Sequence, residues 1–239
     1  MIKKFMTIEE YIEKYYPRGF YPDGEPLPGR REEFNRRNSV YLVNGIKPDI
    51  VFIGDSIIDW WEIQPYFSHL GTVVNRGIGG ETTDSLAERF KQDAVDLQPK
   101  AIVVLEGIND LNPFYEDKDN KMTAAESEKI IENVVSNHEK TMRLSKEAGI
   151  TYIACSILPI GCLDKRNAAI LEVNRRIRLL CEKYDCYYVD MYGGLVESDG
   201  LRLKQVHFGD ELHPHVIGYN IMAERLMPIL KKILKKLEG

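Results

Sequence analysis

Five short stretches of the chain are predominantly apolar: residues 50–53 (IVFI), 72–75 (TVVN), 101–105 (AIVVL), 151–154 (TYIA) and 186–189 (CYYV). Continuous apolar runs of this length, without polar alternation, suit strands covered on both faces, as in a parallel sheet. The segments between them carry apolar residues at helical spacing, over about residues 83–96, 123–148 and 164–184, and a last helix is predicted over 215–237. Strands alternating with helices predict an α/β fold, a doubly wound parallel sheet with helices on both sides. Upstream, Thr7-Ile8-Glu9-Glu10 has the form of a capping box, and Pro17 would stop the helix it opens. Residues 17–30 are an irregular, Pro- and Gly-rich lead-in, and a further helix is predicted over about 31–44. The expected organisation is an N-terminal helical extension, residues 1–45, packed on an α/β domain of residues 46–239, a single domain overall.

Composition narrows the class of protein. A chain of 239 residues, 44% hydrophobic and 29% charged, can bury a sizeable core. The formal net charge of -5 builds no basic face, so nucleic acid is not an expected partner. The cluster Lys231-Lys232-Ile233-Leu234-Lys235-Lys236 reads as the solvated side of the last helix. No stretch reaches the apolar length of a membrane span. The basic start Met1-Ile2-Lys3-Lys4 runs into Glu9, Glu10 and Glu13, so no secretory leader is predicted and a cytoplasmic location is expected. Cys155, Cys162, Cys181 and Cys186 have neither zinc-ribbon nor redox-pair spacing and read as reduced thiols.

In doubly wound sheets ligands bind beyond the carboxyl ends of the strands, so the residues directly after each run are the candidates for chemistry. After the first come Gly54-Asp55-Ser56-Ile57, which place a hydroxyl at a helix N-terminus; taken alone, they read more readily as an ordinary helix cap than as a nucleophile. After the second come Asn75-Arg76-Gly77-Ile78-Gly79-Gly80-Glu81-Thr82. Its glycines allow close backbone approach, but Thr82 breaks a dinucleotide fingerprint. After the third come Gly107-Ile108-Asn109-Asp110, whose side-chain amide could donate to an oxyanion or simply make a turn. Near the end, Asp210-Glu211-Leu212-His213-Pro214-His215 sets a carboxylate three residues before an imidazole, the orienting half of a triad. His207, Asp210, His213 and His215 as metal ligands are the competing reading, weakened because His213 and His215 lack the i, i+4 spacing of a helical zinc motif. Together the four blocks supply a nucleophile, a base, an orienting acid and oxyanion donors, the set needed for acyl transfer.

These four blocks, in this order over residues 54–214, resemble the SGNH (GDSL-like) hydrolase family, the second and third being similar to its platelet-activating-factor acetylhydrolase branch. The resemblance implies a flavodoxin-like three-layer α/β/α sandwich with a five-stranded parallel sheet, and a serine esterase that needs no cofactor or metal. It implies Ser56 as nucleophile, His213 as base, Asp210 as its partner, and Ser56, Gly80 and Asn109 as the oxyanion hole. Ile57 stands where the family motif has Leu, and Glu81 where relatives often have Asp. Asp55, Ile57, Trp60, Trp61 and Leu158 are candidates for the substrate pocket, although core packing is the commoner role for Trp. The expected substrate is a small-molecule ester with a short acyl group, including acetyl on a carbohydrate. A lysophospholipase or thioesterase, a non-catalytic flavodoxin-like binding module and a metallohydrolase are the alternatives, and formation of a homodimer is left open.

Overall fold

The computed structural model describes residues 28–161, 165–200, 203–204 and 212–238. The helix expected from Thr7, together with Cys162, His207 and Asp210, lies outside the described residues.

Helix α1 (Pro28–Asn44) leads into β1 (Ile50–Gly54), α2 (Ser56–Asp59), α3 (Ile63–Phe67) and β2 (Val73–Gly77). The chain continues through α4 (Thr83–Asp93), β3 (Ala101–Leu105), α5 (Asn112–Glu116), α6 (Ala124–Glu147), β4 (Thr151–Cys155) and α7 (Lys165–Tyr184). It closes with β5 (Tyr187–Val189), α8 (Tyr192–Leu195) and α9 (Val216–Glu238). The strands form one sheet in the order β2-β1-β3-β4-β5, all neighbours parallel. The expected α/β fold is therefore present, as a three-layer α/β/α sandwich. Every residue of β1 and β3 is buried, as continuous apolar runs require of strands covered on both faces. Among the described residues no helix is long and apolar enough to cross a membrane.

Parallel strands need right-handed crossovers, and the order 2-1-3 sends the chain to opposite sides of the sheet from β1 and β3. The crevice at this reversal, outside the strand ends, is where such sheets bind ligands. The expected strand at 72–75 starts one residue later and runs on to Gly77, because Arg76 and Gly77 pair with Ile53 and Gly54 of β1. Arg76 can occupy a buried strand position because its guanidinium donates to Asn38 Oδ1 and the Asn75 carbonyl, each at 2.8 Å, and lies over the Phe34 ring. Those contacts, with a 2.7 Å bond from Asn38 Nδ2 to Asp93 Oδ1, fasten α1 to the domain.

Candidate active site

Gly54 ends β1 so close to its neighbour that a Cβ there would sit 1.9 Å from the Leu105 carbonyl oxygen of β3. Only glycine fits without forcing β1 from β3, and the chain then turns at once into α2. Asp55 caps that helix, its Oδ1 accepting the Ile57 N–H at 2.8 Å. Ser56 is the first residue of α2, with its N–H in the unsatisfied first turn. The helix is only one turn long, and other elements bond the carbonyls of its end and of the residues that follow. The side-chain amide of Asn75 on β2 donates to Ile58 O at 2.7 Å and Trp61 O at 3.1 Å, while its Oδ1 accepts Gly77 N–H at 2.8 Å. On the other side, the Tyr219 hydroxyl of α9 donates to Ile57 O at 3.0 Å.

The distant histidine arrives from the start of α9. His213 Nε2 lies 2.8 Å from Ser56 Oγ, across 157 residues of sequence. With Nε2 unprotonated, the serine hydroxyl donates to it, the starting geometry for general-base activation. The imidazole stacks against Trp60, ring centroids 4.0 Å apart and planes 30° apart, and the indole is 56% exposed. Trp61 faces the opposite way. At 1% exposure it packs among Phe52, Phe67, Tyr66 and Tyr219 in the core, so of the adjacent tryptophans only Trp60 borders the site. Asp55, Ile57 and Leu158 are likewise fully buried and offer a ligand no surface. His215 accepts the Ile217 N–H on Nδ1 at 3.2 Å, which caps the final helix.

The glycine turn after β2 closes the near side of Ser56, the Cβ position of Gly79 lying 3.8 Å from Ser56 Cβ. Gly80 follows with a φ of 78°, a left-handed value that suits glycine. Asn109 donates one amide hydrogen to the Glu81 carbonyl at 2.8 Å, which orients the side chain and leaves its second hydrogen available. Asp110 then locks the turn to α4, accepting Thr83 N–H at 2.9 Å and Thr83 O–H at 2.6 Å. Beneath, Arg89 forms a buried ion pair with Glu81 and reaches Asp93 at 3.2 Å. Arg166 of α7 fixes the Asn109 loop from behind, donating to Ile108 O at 2.8 Å. Arg89, Arg166 and Asn75 were not assigned these roles from sequence; their signal was a polar residue within an otherwise apolar helical face or strand.

The floor of the site is acidic. Burial pushes the Asp55 carboxyl up to about 7 against its hydrogen bond from Ile57. Burial also raises Asp110, to about 6, and holds Glu106 well above the usual carboxylate range. A cavity of about 1220 Å³ opens beside Asn109, with Thr82, Pro113, Met122 and Lys121 in its walls.

Comparison with known proteins agrees with this architecture. Residues 52–221 match the GDSL-like Lipase/Acylhydrolase family. An acetylxylan esterase of Geobacillus stearothermophilus is 23% identical over 207 residues, 74% of this chain and 91% of that protein. An uncharacterized lipoprotein, YqeF, of Bacillus subtilis (strain 168) is 32% identical over 127 residues, 47% of this chain and 49% of its own. In structure, a GDSL-like lipase from Bacteroides thetaiotaomicron VPI-5482 superimposes with a TM-score of 0.70 at 24% identity, covering 84% of this chain and 97% of that one. The solved structures of the Geobacillus esterase, at TM-scores of 0.61–0.62 and 20% identity over 76% of this chain and 93% of that one, include catalytic mutants at a serine, a histidine and an aspartate. With the match spanning residues 52–221, from β1 into α9, the chain belongs to the GDSL-like lipase/acylhydrolase family and is a carboxylic ester hydrolase.

Proposed function

We propose that the chain hydrolyses short acyl esters through an acyl-serine intermediate on Ser56. The observation that carries this reading is the 2.8 Å contact between Ser56 Oγ and His213 Nε2 at the carboxyl end of the sheet. His213 takes the hydroxyl proton as Ser56 Oγ attacks the ester carbonyl carbon. The oxyanion is held by the N–H groups of Ser56 and Gly80 and by the second amide hydrogen of Asn109. One such donor contributes about 3 kcal/mol to lowering the barrier. The intermediate collapses, the proton passes from His213 to the departing alcohol oxygen, and a water activated by the same histidine releases the acid and regenerates the serine. Asp210 is proposed to orient His213. It precedes the histidine by three residues, the spacing also found between the aspartate and histidine of the catalytic mutants of the Geobacillus esterase.

For the substrate we propose an acetyl or similarly short acyl group on a carbohydrate. Support comes from the relative that is an acetylxylan esterase and from Trp60, whose exposed face beside His213 suits stacking against a sugar ring. The test is a nitrophenyl ester series from acetyl to dodecanoyl, run with acetylated xylooligosaccharides on the wild type and Ser56→Ala. The reading expects the highest kcat/KM at acetyl, release of acetate from the oligosaccharide, and loss of both in the variant. A maximum at long chains would refute the substrate, and retained turnover in Ser56→Ala would refute the mechanism.

A further inference from the structure

Three buried carboxylate oxygens beneath Ser56 have no hydrogen-bond partner among the described residues: Asp55 Oδ2 and both Oε atoms of Glu106. The two residues are 0% and 1% exposed. Buried polar atoms are almost always hydrogen-bonded, so three orphans in one place demand a physical account. The sheet explains why they meet. β1 and β3 pair in parallel with Gly54 opposite Leu105, so Asp55 and Glu106 are the next residues off two neighbouring strand ends. Two ionised carboxylates cannot share such a dry site cheaply. Asp55 has a reason to carry the charge, because its Oδ1 accepts the Ile57 N–H in the first turn of α2. Glu106 accepts from no donor on either oxygen.

We propose that Glu106 is a positioning residue that stays protonated and donates its hydrogen to Asp55 Oδ2, so that one acid–carboxylate pair fixes the turn presenting Ser56. The proton gives Asp55 Oδ2 a donor and turns one Glu106 oxygen into that donor, while the remaining Glu106 oxygen becomes an uncharged carbonyl, far cheaper to bury than a carboxylate. Among the described residues no cation hydrogen-bonds any of these three oxygens. From the turn after β2 comes Glu81, and from the turn after β3 Asp110, both raising Glu106 further. From α4 comes Arg89, which draws Glu106 down less than burial raises it and whose guanidinium bonds to Glu81 and Asp93. From α6 comes His138, whose Nε2 lies 3.3 Å from the backbone carbonyl of Glu106 and which burial holds neutral, its imidazole lowered to about 4. Burial, and after it the Asp55 carboxylate, pushes Glu106 well above the usual carboxylate range, while burial raises Asp55 to about 7. The kinetic consequence deepens the serine-esterase reading and rests on it. An extra buried negative charge at this position would oppose the oxyanion that forms above it.

The test has a spectroscopic arm independent of activity. Infrared spectra of the wild type at neutral pH should show the carbonyl stretch of a protonated carboxylic acid, lost in Glu106→Gln. Absence of a Glu106-dependent acid band overturns the proposal. In the kinetic arm, Glu106→Gln presents an amide hydrogen to Asp55 Oδ2 and should keep kcat within about threefold of the wild type. Glu106→Leu, similar in size but without a donor, should lose about tenfold or more in kcat with little change in KM, the cost of leaving a buried charge without its hydrogen bond. Equal kcat in the two variants overturns the proposal, and if Glu106→Leu does not fold, the infrared band and the glutamine variant decide it. Should Ser56→Ala retain esterase activity while the Glu106 band persists, the serine reading fails and the acid–carboxylate pair stands.

Discussion

Replacing Asn75 by alanine probes how the fold holds Ser56 in place without touching the proposed reacting atoms. The asparagine makes three hydrogen bonds, at 2.7 Å to Ile58 O, 3.1 Å to Trp61 O and 2.8 Å from Gly77 N–H. Each is a neutral bond with a net contribution of about 1 kcal/mol, so the loss is about 3 kcal/mol, and more where a carbonyl is left dry. For a chain of this length that corresponds to a fall in Tm of roughly 6–12 °C. The amide also ties the far end of a four-residue helix to β2, so the start of that helix, where Ser56 meets His213, should shift. A displacement approaching 1 Å in a catalytic group lowers the rate by roughly a hundredfold. Thermal melting followed by circular dichroism and acetyl-ester kinetics measure the two effects separately. Asn75→Asp should rescue neither, since it keeps the acceptor for Gly77 but sets a negative charge against two carbonyl oxygens. An Asn75→Ala protein with Tm within 1 °C and kcat within about twofold of the wild type would refute the reasoning.

Further outcomes are expected. Trp60→Ala removes an exposed ring stacked on His213 and should change stability by less than about 1 kcal/mol while lowering kcat/KM severalfold, measured by chemical denaturation and ester turnover. His138 is buried, and desolvation lowers its imidazole from 6.5 to about 4. Below 6.5 the unfolded chain binds a proton that the folded protein refuses, so stability is present above that pH and is lost as pH falls toward about 4, by about 3 kcal/mol. Denaturant titrations at pH 7 and 4.5 should show that loss in the wild type and less of it in His138→Gln; equal losses would contradict the assignment.

The strands were legible because a run such as residues 101–105, apolar throughout, has no other comfortable place than a doubly covered sheet. The extension of β2 through Arg76 was not, since a charged residue breaks an apolar run and its burial depends on contacts such as those with Asn38, the Asn75 carbonyl and Phe34, which sequence does not show. Helices α3, α5 and α8 are four or five residues long, too short for a periodic signal. At the site, the blocks after β1, β2 and β3 were readable because a parallel sheet delivers all its carboxyl ends to one edge. Trp60 and Trp61 could not be separated, because neighbouring residues leaving a helix point in opposite directions and the sequence does not say which is inward. Glu106 was visible as an acid at a strand end, but its meeting with Asp55 depends on the β1–β3 register, which appears only once the sheet is assembled.

The central claim is that Ser56, activated by His213, is the acyl acceptor. The direct measurement is reaction of the purified protein with a fluorophosphonate, followed by mass spectrometry of the modified peptide and acetyl-ester turnover. The account predicts one adduct, on Ser56, with activity lost in proportion to labelling, no adduct in Ser56→Ala, and a kcat/KM in that variant lower by roughly a thousandfold or more. An unlabelled Ser56 in an active enzyme, or turnover by Ser56→Ala close to that of the wild type, would contradict it.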